Sequence, residues 1–134
     1  MSSERAVKKV LLMSDNQTIV MLIKHAIVLQ GPYRIFVVPD SVRAQESMAA
    51  ELPDCVILDI RPARMEESYH FVRRLRSDTH TEHISLIILS PVRREKDILT
   101  EWLIDADEYL SRPFKPSALN VAIERVLQRL SEEE

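Results

Sequence analysis

A chain of 134 residues with 46% hydrophobic content is long enough for one domain with a real core. Its 18 basic against 21 acidic residues leave a net charge of −3, which argues against nucleic acid as a bulk electrostatic partner. No apolar run is long enough for a membrane span, residues 1–9 lack a signal-peptide core, and Cys55 is the one cysteine, so a cytoplasmic protein is expected; the single glycine excludes Gly-rich phosphate loops.

Residues 1–6 are polar and read as a frayed start. Residues 7–13 read as a first strand, with Val10, Leu11, Leu12 and Met13 as its buried part. Ser14-Asp15-Asn16 is an N-cap cluster opening a helix over about 16–30, whose inward face is Ile19, Leu22, Ile23, Ala26 and Ile27. Val20, Met21 and Val28 fall off that face, which makes the helix apolar nearly all round; the plainer reading is extra burial under neighbouring helices, the functional one a docking surface around Val20 and Met21. Gly31-Pro32 ends it. Residues 33–38 read as the second strand, and Asp40-Ser41 caps a second helix to about residue 51.

Cys55 to Asp59 is the third strand, an apolar run closed by an acid and bounded by Pro53 and Arg61-Pro62. Cys55 inside it reads as a small buried hydrophobe. A polar loop leads to a helix over about 66–77, with Phe71, Val72 and Leu75 as core contacts. Residues 84–89 are a fourth apolar strand ended by Ser90-Pro91. A helix over about 92–104 carries Ile98, Trp102 and Leu103, and its Arg93-Arg94-Glu95-Lys96 run reads as a solvated face. Residues 106–110 are a short fifth strand. Pro116 suits the first turn of a last helix to about residue 130, with Leu119, Ile123, Val126, Leu127 and Leu130 inward.

Five strands without polar alternation, interleaved with five helices, predict an α/β fold: a doubly wound, five-stranded parallel sheet covered on both faces. Residues 1–134 are expected to be a single domain, core about 7–130, with no output domain. By analogy with flavodoxin-like (βα)5 folds the strand order is taken as 2-1-3-4-5, which makes strands one and three neighbours. Asp15 and Asp59 then lie side by side at the carboxyl edge, with Ser90 ending strand four and Arg112 following strand five. Two close carboxylates repel, and a hard cation such as Mg²⁺ relieves the repulsion. A hydroxyl and a guanidinium nearby suit phosphoryl oxygens. The set fits phosphoryl transfer with Asp59 as nucleophile. The plainer roles are turn capping for Asp59, helix capping for Asp15, and strand propensity for Tyr109. His80 and His83 lie in a loop with no acidic or thiol ligand at zinc spacing.

Over its whole length the chain resembles the response-regulator receiver domains, the CheY-like family. The stretches that carry the resemblance are Val10-Leu11-Leu12-Met13-Ser14-Asp15-Asn16, Pro53-Asp54-Cys55-Val56-Ile57-Leu58-Asp59, Ile87-Ile88-Leu89-Ser90, and Asp107-Glu108-Tyr109-Leu110-Ser111-Arg112-Pro113-Phe114. The resemblance implies that Asp59 is the phosphoacceptor, Ser90 the switch hydroxyl and Tyr109 the switch aromatic, with Arg112 completing the catalytic set. It implies a Mg²⁺ site of Asp15, Asp59 and the Arg61 backbone carbonyl, with Ser14 as a further candidate. Three departures stand out: Ser14 replaces the family's first acid, Arg112 replaces its lysine, and the loop after Asp59 lacks its glycines. Ser14 removes a negative charge, so Mg²⁺ binding is expected to be weak; Arg112 keeps the charge but is planar and bidentate.

The function expected is that of a two-component receiver taking a phosphoryl group from a histidine kinase or phosphotransfer protein, docked through the first helix. It would be a phosphoacceptor rather than an enzyme, with at most self-catalysed phosphotransfer and autodephosphorylation. A dimer is compatible with the sequence; nucleic acid and membrane are not expected partners. The alternative is a pseudo-receiver, a protein-interaction module that works without phosphorylation, which Ser14 and Arg112 favour. A small hydrolase on the same fold lacks a GxSxG or triad pattern to support it.

Overall fold

The strand-forming runs are apolar at consecutive positions, so each strand must bury side chains above and below the sheet. The structure, a computed structural model, describes residues 7–90 and 106–132. The strands β1 (Lys9–Met13), β2 (Arg34–Val38), β3 (Cys55–Asp59), β4 (Ser85–Ser90) and β5 (Glu108–Ser111) form one parallel sheet in the order β2-β1-β3-β4-β5. The described helices are α1 (Gln17–Val28), α2 (Ser41–Ala50), α3 (Met65–Ser77) and α4 (Pro116–Glu132), with a 3-10 turn at Pro62–Arg64 before α3. The helix expected over 92–104, with Ile98, Trp102, Leu103 and the Arg93-Arg94-Glu95-Lys96 run, lies outside the described residues.

The period-two geometry of the strands divides the core. Val10, Leu12, Cys55, Ile57, Ile87 and Leu89 face α1 and α4, where they meet Ile23, Ile27, Leu119, Ile123 and Leu127. Leu11, Val56, Leu58, Leu86 and Ile88 face the other way, onto Ala44 of α2 and Phe71, Val72 and Leu75 of α3. Each fully buried aliphatic side chain stabilises the fold by about 1.5–3 kcal/mol relative to exposure. β1 and β3, with neighbours on both edges, are buried throughout. β2 is an edge strand, and Arg34 and Val37 are exposed there, so it departs from the expected double-sided burial. Lys9 is buried at the start of β1, where its ammonium donates to the Glu51 carbonyl at 2.8 Å and lies 4.2 Å from the Phe36 ring centroid.

One expectation is corrected. Val20 is buried, 7% exposed, and belongs to the core cluster it shares with α4; it is not part of a free face. The reason is that α1 is covered twice, by the sheet and by α4, so its apolar stripe is wider than a sheet contact alone requires. Met21, at 70%, and Val28 remain exposed.

Candidate functional site

The parallel register brings the strand ends level. Met13 pairs with Val38 and Leu58, Asp59 with Leu89, and Ser90 with Ser111. The residues that follow these positions therefore share one edge, with β1 and β3 adjacent at the point where the strand order reverses.

Asp59 ends β3 with its side chain only 1% exposed. Ser14, also buried, donates its hydroxyl to Asp59 Oδ2 at 2.7 Å. Arg112 donates from Nη2 to Asp59 Oδ1 at 2.5 Å. Ser14 Oγ in turn accepts from the Asn16 N–H at 3.1 Å, and Asn16 Oδ1 accepts from the Ile19 N–H at 3.1 Å as the N-cap of α1. The capping role thus falls to Asn16, and the Asp15 carboxylate is left to form an ion pair with the Arg61 guanidinium. The Arg61 carbonyl accepts from the Arg64 N–H at 2.9 Å, closing the 3-10 turn.

Asp15, Asn16, Asp59, Arg61, Pro62 and Arg112 line one open pocket. Its ionisable side chains are two carboxylates and two guanidinium groups, each carboxylate engaged by one guanidinium. Beside it, Glu67 of α3 accepts from the Ser41 hydroxyl at 2.6 Å and from the Ser41 N–H at 3.1 Å. Those bonds, chiefly the one from the hydroxyl, hold the Glu67 carboxyl below its usual range. Asp40 caps α2 by accepting from the Arg43 N–H at 2.9 Å, so two acids satisfy the start of that helix.

Of the residues singled out from the sequence, Asp15, Asp59 and Arg112 line this pocket, and Ser14 touches Asp59 from beneath. Ser90 is buried at the end of β4, and its carbonyl accepts from the Arg112 N–H at 3.0 Å. Tyr109 sits in β5 opposite Ile88, half-buried against the core cluster shared with α2 and α3. His80 is exposed and lies 3.2 Å from Asp78; among the described residues no group of three or more His, Cys, Asp or Glu could hold a metal ion. Sequence reasoning missed the Arg61 side chain, having used only its carbonyl. The signal was a long cation two positions beyond Asp59, at the carboxyl edge of the sheet.

Five parallel strands in this order, with an acidic residue at the end of the central strand, define the class of a receiver domain. The chain belongs to the response regulator receiver family: the family model, described as the response regulator receiver domain, matches residues 10–124. It is 30% identical over 122 residues to the probable transcriptional regulator ycf27 of Guillardia theta, covering 91% of this chain and 46% of that protein. The chain spans about half the length of the curated relatives it matches. In fold it matches the receiver domain of a signal transduction histidine kinase from Syntrophus aciditrophicus, with a TM-score of 0.75 at 23% identity and 91% of each chain covered. It also matches the Mn(2+)-bound form of the response regulator Rcp1, with a TM-score of 0.72 at 14% identity, over 89% of this chain and 91% of that one.

Receiver domains bind Mg²⁺ at an acidic site. The residues present here are a poor fit for a tightly held divalent cation. One carboxylate is missing at Ser14, Asp15 is paired with Arg61, and the candidate carbonyl already accepts a hydrogen bond. Two guanidinium groups cancel the charge of the two remaining carboxylates, removing the electrostatic pull on a dication.

Proposed function

We propose that this two-component receiver accepts a phosphoryl group on Asp59 from a histidine kinase or phosphotransfer protein. The observation that carries the reading is the Asp59 carboxylate itself. It is fixed at the end of a buried strand, with Arg112 on one oxygen and a pocket of phosphate-binding chemistry in front of it. In the transfer, one Asp59 oxygen forms a bond to phosphorus as the donor's P–O or P–N bond breaks, and the leaving group takes the electron pair. Arg112 holds a phosphoryl oxygen, and the Ser90 hydroxyl moves toward another. Tyr109 responds to that movement from the neighbouring strand, which changes the surface presented downstream. The Arg61 carbonyl and Ser14 hydroxyl are further oxygens beside Asp15 and Asp59, and with Asp15 paired to Arg61 they offer Mg²⁺ weak binding at most. The donor protein docks on α1 around Met21, which is exposed.

A specific observation favours a second reading, the pseudo-receiver. Both Asp59 oxygens already have partners, and the side chain is almost fully covered. Intact mass after acetyl phosphate treatment separates the two. The phosphoacceptor takes up one phosphoryl group in the wild type and none in Asp59→Asn. No uptake, together with an NMR spectrum that beryllofluoride leaves unmoved, establishes the pseudo-receiver.

A further inference from the structure

We infer that the Arg61 guanidinium takes the place of the divalent cation, so that the phosphoryl group on Asp59 is held between Arg61 and Arg112 without metal. The inference rests on the phosphoacceptor reading for its second half; its first half, the exclusion of the cation by Arg61, does not. Three observations converge on it. Arg61 reaches across from the loop after β3 to the Asp15 carboxylate, the group left to anchor a cation once Ser14 has replaced an acid. Arg61 also lines the pocket that contains Asp59 and Arg112, so the two guanidinium groups flank one opening. The Ser14 hydroxyl spends its single proton on Asp59 and so quiets the carboxylate that a metal would otherwise neutralise.

The chemistry closes without a metal ion. Asp59 attacks the phosphorus of an acyl phosphate or phosphohistidine, a new O–P bond forms, and the carboxylate or imidazole leaves with the bonding pair. The phosphoryl group brings about −1.5 to −2 of charge in place of the Asp59 carboxylate. Arg112 loses its Asp59 partner and follows the charge to the phosphoryl oxygens. Arg61, half-exposed and anchored at its far side by Asp15, swings from a single carboxylate to bridge Asp15 and the phosphoryl group. Guanidinium groups make paired, charge-assisted hydrogen bonds to phosphate oxygens, which suits them to this task. Asp15 is therefore a positioning residue for Arg61.

The test has two arms on the full chain in chelator-treated buffer. The first is an NMR titration of the free protein with Mg²⁺. The wild type is expected to show no saturable shift at Asp15 or Asp59, whereas Arg61→Ala binds Mg²⁺ at least about tenfold tighter, because Asp15 is released. Equal or weaker Mg²⁺ binding in Arg61→Ala overturns the exclusion of metal by Arg61, whatever happens to phosphorylation. The second is beryllofluoride binding with and without Mg²⁺. The wild type is expected to bind equally well in both. Arg61→Ala loses about tenfold or more in metal-free buffer and regains it with Mg²⁺, while Arg61→Lys keeps part of the metal-free binding. A wild type that binds beryllofluoride only with Mg²⁺ overturns the metal-free pocket and leaves the phosphoacceptor reading standing. A wild type that binds under neither condition overturns both. Arg61 is half-exposed, so its variants are expected to fold, and an unchanged amide spectrum checks that they do.

Discussion

The Ser14 hydroxyl donates to Asp59 Oδ2 at 2.7 Å, with both residues buried at the junction of β1 and β3. A neutral donor occupies the position at which an acid would set two negative charges in contact. Ser14→Asp is therefore expected to lower the melting temperature in metal-free buffer, by a cost of about 1–3 kcal/mol for a lost buried bond and an added repulsion. Mg²⁺ then restores stability to that variant more than to the wild type, by ligand linkage. Calorimetry of both proteins with and without Mg²⁺ measures the difference. Equal Mg²⁺ responses would show that residue 14 does not govern the cation.

Arg112 is the guanidinium against Asp59, and its removal leaves a buried carboxylate hydrogen-bonded to the Ser14 hydroxyl. Arg112→Ala should cost about 2 kcal/mol of stability, the range for a charged hydrogen bond. It should also blunt the spectral shift that follows acetyl phosphate more than it reduces uptake on Asp59. Urea unfolding and a labelling time course check the two parts. If uptake falls while the residual shift per labelled molecule is unchanged, Arg112 acts in transfer and not in the response.

Val20 and Met21 are adjacent in α1 yet differ in environment. Val20→Ala removes buried methyl groups and should cost about 2 kcal/mol. Met21→Ala should leave stability within about 0.5 kcal/mol and instead weaken docking of a phosphodonor protein. Denaturant midpoints and the rate of phosphotransfer from a matched donor separate the two. A Met21→Ala variant with an unchanged transfer rate removes α1 from the docking surface.

Glu67 ties α3 to the first turn of α2 through both the hydroxyl and the N–H of Ser41. Its folded carboxyl titrates below the ordinary value of 4.5, so the stabilisation is complete above that value and is lost as pH falls through the lower folded one. Stability from about pH 6 downward should fall less steeply in Glu67→Gln than in the wild type, with a difference of about 1 kcal/mol at the neutral end. Parallel slopes in urea midpoint against pH would place the acid sensitivity elsewhere.

The strands are legible in the sequence because their apolar runs are unbroken and their ends carry Asp, Ser and Arg; the apolar run closed by Asp59 coincides with the observed third strand, Cys55–Asp59. The exposure of β2 was not legible, since an edge strand is apolar enough to resemble a central one until the strand order is known. The choice between burial and docking at Val20 is not legible for a related reason: helical spacing finds a stripe facing one partner, and α1 has two. At the site, the positions of Asp15, Asp59 and Arg112 could be read from strand ends. The pairing of Asp15 with Arg61 could not, because it depends on the path of a loop and on Asn16, rather than Asp15, capping α1.

Cys55, the one cysteine in the chain, lies in β3 between two other strands and is fully buried, and burial pushes its thiol up from the usual range. A thiol in that position is chemically silent while the sheet is intact. Reagent can reach it once β3 has separated from its neighbours, so the rate of thiol modification reports the opening of the central sheet. The protein thereby carries its own clock for the same strand that ends in Asp59. Comparing that rate before and after beryllofluoride treatment would measure how strongly occupancy of the pocket grips the middle of the fold, with no dye, tag or substitution introduced.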